Sequence, residues 1–94
     1  MRIRRLIWLA AIVDKLAVKH NVSVEEVEDV FGNAPHFRFV ESGFTEGEDV
    51  YSALGQSEAG RYLIVFFILK SEGRALIVSA RDMTSSERKL YAKH

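Results

Sequence analysis

The 94-residue chain has no cysteine, one proline, one tryptophan and no apolar run long enough to cross a bilayer. Without cysteine there is no disulfide framework, no thiolate metal centre and no cysteine nucleophile, a composition that suits a reducing compartment. The longest apolar run, Tyr62 to Leu69, falls far short of the ~20 residues a spanning helix needs. The opening Arg2-Ile3-Arg4-Arg5, followed by Leu6 to Val13, has the outline of a signal peptide. Asp14 and Lys15 interrupt it at once, and it offers no small-residue cleavage site. It reads instead as the start of a strand and a helix in a soluble protein with no membrane partner, expected in the cytoplasm. There is no Gly-rich phosphate loop, and His20, His36 and His94 are scattered without metal-ligand spacing, so no cofactor is expected.

What the chain does contain is an ordinary globular mixture, 48% hydrophobic and 28% charged. Its length fits a single domain, residues 1–94, around one core. The net charge of zero conceals segregation. Residues 1–24 carry five cations against Asp14, residues 25–58 carry nine acids against Arg38, and residues 59–94 carry seven cations against three acids. Two basic segments thus flank an acidic one, and a fold that joined them would make a basic face.

Periodicity supplies the elements. Arg2 to Trp8 alternates weakly and reads as an edge strand. From Ala10 a helical stripe of Leu9, Val13, Leu16 and His20 takes over, and Asn21 stops it. Ser23 and Glu26 form a capping box, Val22 and Val27 the matching hydrophobic staple, and Gly32 with Pro35 closes this second helix. His36 to Arg81 reads as four antiparallel strands, with Ser71-Glu72-Gly73 as the last tight turn. Tyr62 to Leu69 is apolar at both parities, the mark of a central strand covered on both faces. Thr84 and Glu87 open a final helix with a second capping box. The expected class is α+β: an N-terminal strand and two helices, a four-stranded antiparallel meander, and a C-terminal helix, with helices on one face of the sheet.

The chemistry-bearing residues gather at the C-terminal end. Strict alternation puts Arg81 on one strand face with Ser79 and Ile77, opposite Leu76, Val78 and Ala80. Arg81 can pair with Glu87 or Asp82, or it can steady a phosphate with its planar fork of donors. Glu87 is explained by its capping position alone. Tyr91 can cover the core or stack on a base. His20, on the first helix with Lys19 beside it, suits either a capping role or general acid–base work. Arg61 and Arg74 flank turns and are most simply solvated strand ends.

Together these residues resemble the BrnT-type toxins of bacterial type II toxin–antitoxin systems, within the RelE-like ribonuclease superfamily. The resemblance rests on Trp8, Lys19-His20 with Val22 to Phe31 behind, the apolar strand after Gly60-Arg61, Ser79-Ala80-Arg81, and Glu87-Arg88 with Tyr91. It implies a metal-independent endoribonuclease cleaving RNA by 2′-hydroxyl attack. It puts His20, Arg81 and Glu87 in catalytic positions and Lys19, Arg61, Arg88 and Tyr91 against the substrate. It also implies a cognate ribbon-helix-helix antitoxin as partner. Where the family pattern carries Asp, Lys and Asn, this chain has Leu9, Ile12 and Leu16, so its first helix is more apolar. That difference, with the acidic middle segment, supports an alternative: a non-catalytic protein-interaction module on the same fold.

Overall fold

A computed structural model describes residues 1–94. Five strands form one sheet in the order β1-β5-β4-β3-β2, where β1 is Arg5–Ile7, β2 His36–Glu41, β3 Val50–Gln56, β4 Tyr62–Lys70 and β5 Arg74–Asp82. The meander β2 to β5 is antiparallel as the turns predict. The N-terminal strand joins it as a fifth member and runs parallel to β5, so the sheet is mixed. The run apolar at both parities is indeed the middle strand, β4, with Leu63, Val65 and Phe67 fully buried on one face and Ile64 on the other.

Three helices complete the fold: α1 Ala10–Lys15, α2 Val24–Gly32 and α3 Ser85–Tyr91. After α1 the chain widens into a π-helical turn, Leu16–His20, closed by an Asn21 N–H donating to the Leu16 carbonyl. Asn21 takes a left-handed conformation (φ 52°), which ends the helix where its residue type suggests. Both capping boxes form: Ser23 and Thr84 accept from the amides of Glu26 and Glu87, whose carboxylates return to the cap amides. Val22 and Val27 of the staple are buried. Gly32 ends α2 rather than following it; Asn33 is the cap residue, and Ala34, at φ 47°, makes the left-handed step.

The main core lies between the sheet and the N-terminal helices, joining Leu16, Val22, Val27 and Val30 to Val65, Phe67, Ile77 and Ala80. Trp8, Ile12 and Phe31 pack around it. Ile12 and Leu16, apolar where the family pattern is polar, are therefore packing residues. The stripe differs from expectation at its start, because Leu9 stays about half exposed while Ile12 takes the inward position. The helices do not all share one face. The alternation of β3 and β4 directs Leu54 and Ile64 away from the main core, and α3 covers them with Leu90 and Tyr91.

Strict alternation also fails along β5. A bulge sets Phe66 opposite Ser79 but Phe67 opposite Ile77, leaving Val78 as the extra residue. Ile77 accordingly shares the buried face with Ala80, while Ser79 and Arg81 project onto the α3 side. One inserted residue re-aims the arginine that the sequence singles out.

Candidate functional site

On the α3 side of the sheet, one row across the strands reads His36, Leu54, Ile64, Arg81. α3 lies across this row and is tied down at both ends. At its start, Glu87 receives two hydrogen bonds from Arg81, Nη1 to Oε1 at 2.7 Å and Nη2 to Oε2 at 3.0 Å, the bidentate geometry that planar guanidinium favours. Arg81 holds the Glu87 carboxyl down to about 2, against burial, with help from the Thr84 amide. The same pairing raises Arg81 above its ordinary value despite partial burial. Beyond the far end of α3, His94 stacks on His36, ring centroids 3.6 Å apart and 11° from parallel. Burial, His94 and Arg38 together push His36 below the usual histidine range.

Beside α3 the next row, Arg38, Ser52, Phe66 and Ser79, continues the same face. Arg81 stands over the Phe66 ring at 5.5 Å. Arg88 covers Tyr62 at 4.0 Å, and Tyr91 meets Tyr62 edge-on at 6.1 Å. Arg81, Glu87, Arg88 and Tyr91 are thus brought together around one end of the sheet, with three aromatic rings among them.

Arg61, His20 and Lys19 make no hydrogen bond or ion pair with this group. Asp82 pairs with Leu63 on the opposite face of β5, and Arg61 binds it through Nε (2.8 Å) and Nη2 (3.2 Å). Arg61 also donates to Glu26 at 3.1 Å and to the carbonyls of Asn21 (2.6 Å) and His20 (3.2 Å). It is not a solvated strand end. It is a clamp joining β5, α2 and the π turn, and its Asp82 hydrogen bonds, more than the opposing burial, raise it further above its ordinary range. Arg61 in turn draws Asp82 down, with His20 adding to the effect. The His20 carbonyl and the Asp82 carboxylate thus share the Arg61 guanidinium. Lys19 is exposed.

Alternation in Phe37-Arg38-Phe39 could have flagged Arg38 as turned away from the core. Phe66 was hidden inside an all-apolar run, and the pairing of His36 with His94 depends on where α3 ends. Nowhere do three or more His, Asp or Glu side chains converge as a protein-held metal ion requires.

A guanidinium fork beside a carboxylate and half-buried rings, on the α3 side of a sheet, is chemistry suited to a phosphodiester with bases attached. The comparison with known families agrees. The family described as "Ribonuclease toxin, BrnT, of type II toxin-antitoxin system" matches residues 8–87, and the chain belongs to that family. No curated relative matches the sequence. Membership implies an RNA substrate and an antitoxin partner. No helix is long and apolar enough to cross a membrane.

Proposed function

We propose that residues 1–94 act as one RelE-like toxin domain, a metal-independent endoribonuclease working in the cytoplasm, with its reacting centre at Arg81 and Glu87. The observation that carries this reading is the bidentate Arg81–Glu87 pair on the α3 side of β5. Arg81 holds the scissile phosphate and takes up the charge that grows on its oxygens during attack, the role a metal ion fills elsewhere. A phosphate at Arg81 competes with Glu87 for the guanidinium. Glu87, released from the contact that holds it near 2, regains basicity and accepts the 2′-hydroxyl proton. The 2′-oxygen bonds to phosphorus, the bond to the 5′-oxygen breaks, and solvent protonates that leaving oxygen. The products are a 2′,3′-cyclic phosphate and a 5′-hydroxyl end. Phe66 and Tyr91 offer rings against which the flanking bases stack, and Arg38 and Arg88 offer phosphate contacts.

In this reading Arg61 and the His20 carbonyl it holds serve the scaffold rather than the reaction, because strand alternation puts Asp82 and the Arg61 clamp across β5 from Arg81. The partner is a ribbon-helix-helix antitoxin, as the family resemblance suggests. A non-catalytic interaction module remains the competing reading, favoured by the exposed Phe39, Val40 and Phe44 beside Glu41 and Glu46 at the β2 edge. The two are separated by product analysis in the presence of EDTA. The ribonuclease reading expects cyclic-phosphate ends from single-stranded RNA and no cleavage of its 2′-O-methyl counterpart. Intact RNA at high protein concentration would sink it in favour of the module.

A further inference from the structure

The fold partly unites the two basic segments, at a corner remote from Arg81. Arg5 lies directly opposite Arg74 in the parallel β1–β5 pair. Like charges facing each other across strands repel, and neither guanidinium has a carboxylate within pairing distance. Arg74 is steadied by the Ser71 carbonyl and hydroxyl, both at 3.0 Å, which leaves its Nη1 without a partner. Arg2 and Arg4 are likewise unpaired with any acid.

Two hollows flank β1 and share Arg4 and Arg5. One, about 350 Å³, is rimmed by these two with Arg74 and Glu72. The other, about 470 Å³, lies between β1 and the end of α2, with Ile3, Leu6, Trp8 and Phe31 in its walls and Glu28 at its rim. The indole Nε1 of Trp8 is buried and has no hydrogen-bond acceptor, an orphaned donor in the wall of that groove.

Orientation links this corner to the reacting centre. Leu6 and Trp8 pack toward the main core, so Arg5 projects from the other face, as do Arg74, Leu76, Ser79 and Arg81 along β5. Six residues of strand separate Arg74 from Arg81, roughly 20 Å. Between them Leu76, Val78, Phe66 and Ile68 are only partly buried, a surface on which bases can lie. We propose that the β1–β5 corner is a second RNA subsite. Arg5 and Arg74, with Arg4 at the sheet edge, hold backbone phosphates several nucleotides from the bond cleaved at Arg81, and the RNA passes round edge strand β1 to put a base in the Trp8–Phe31 groove on the helix side. The inference rests on the Arg81-centred reading above. Arg4 and Arg5 precede the family match, whereas Trp8, Phe31 and Arg74 lie within it. An acidic peptide would satisfy the same arginines, but the shared face with Arg81 favours RNA.

The test uses a fluorescent 2′-O-methyl RNA dodecamer and a tetramer, with binding read by anisotropy between 50 and 200 mM salt. Each phosphate contact on a single strand adds about 0.7 to the slope of log affinity against log salt. Arg4→Ala/Arg5→Ala/Arg74→Ala should lower the dodecamer slope by about 2 and weaken its binding about tenfold or more at low salt. The tetramer should bind as before. The triple lysine variant should restore the slope, which separates lost charge from lost packing, and thermal unfolding confirms that each variant folds. A dodecamer affinity and slope unchanged in the alanine variant, with wild type cleaving RNA, overturns the subsite alone. Unchanged RNA binding with loss of capture by the antitoxin assigns the corner to a protein partner instead. Wild type that neither binds nor cleaves RNA overturns the subsite together with the reading on which it rests.

Discussion

Replacing Glu87 by glutamine isolates the charge of the Arg81 pair, because glutamine at this position still completes the capping box. The carboxyl is held at about 2 in the folded protein against an ordinary 4.5. At 1.36 kcal/mol for each pKa unit, linkage bounds the stabilisation near ~3.4 kcal/mol. The Glu87 side chain is 21% exposed and Arg81 is 36% exposed, so solvent screening reduces the expected loss to ~1–2 kcal/mol at pH 7. For a chain of this size that is roughly 5–10 °C in Tm. A folded-state pKa below the unfolded value stabilises above pH 4.5, and the benefit drains away as pH falls from 4.5 toward 2. Urea unfolding of wild type and Glu87→Gln, followed by circular dichroism at pH 7 and pH 3, should show a gap at neutral pH that shrinks to less than half in acid. A gap equal at both pH values, or none at pH 7, refutes the claim that this ion pair pins α3 to β5.

Three further outcomes follow from the geometry. Arg61→Ala leaves Glu26 and Asp82 without their shared partner and should cost ~2 kcal/mol in urea unfolding, with cleavage by the folded fraction unchanged. Gly73→Ala places a Cβ 2.8 Å from the Arg2 carbonyl at φ +70°, so it should destabilise by ~1–3 kcal/mol and selectively speed hydrogen exchange in β1. His36 is lowered by burial, then by His94 and Arg38, so its share of stability is present above pH 6.5 and is lost as pH falls. His94→Ala should therefore flatten the decline in unfolding midpoint between pH 7 and pH 5, and an unaltered decline would show that the stack is not coupled to folding.

Much of the fold was readable because local signals were strong and agreed with one another. Both capping boxes, the Asn21 stop and the doubly apolar β4 each correspond to a feature of the structure. The bulge at Val78 was not readable, since an inserted residue leaves no mark in the apolar run Ala75 to Val78, and it reversed the face assigned to Ile77. Nor does a short strand reveal its direction: β1 lies parallel to β5. At the site, Arg81 and Glu87 lie close in sequence, and their pairing was one of the alternatives open from the start. That Arg81 and Asp82 face opposite sides of β5, one toward Glu87 and the other toward Arg61, follows from the strand's pairing. Arg61 illustrates the limit of local signals. Its four partners come from three distant segments, and only the folded chain makes a clamp of what reads as a strand end.

The most direct test of the central claim is cleavage of a labelled single-stranded RNA in EDTA by wild type and Arg81→Ala at equal folded concentration. Wild type should cleave, and the variant should do so at a rate at least about a hundredfold lower, the scale on which loss of a charge-stabilising donor acts. Equal cleavage by both proteins would contradict that claim and move the reacting centre away from Arg81.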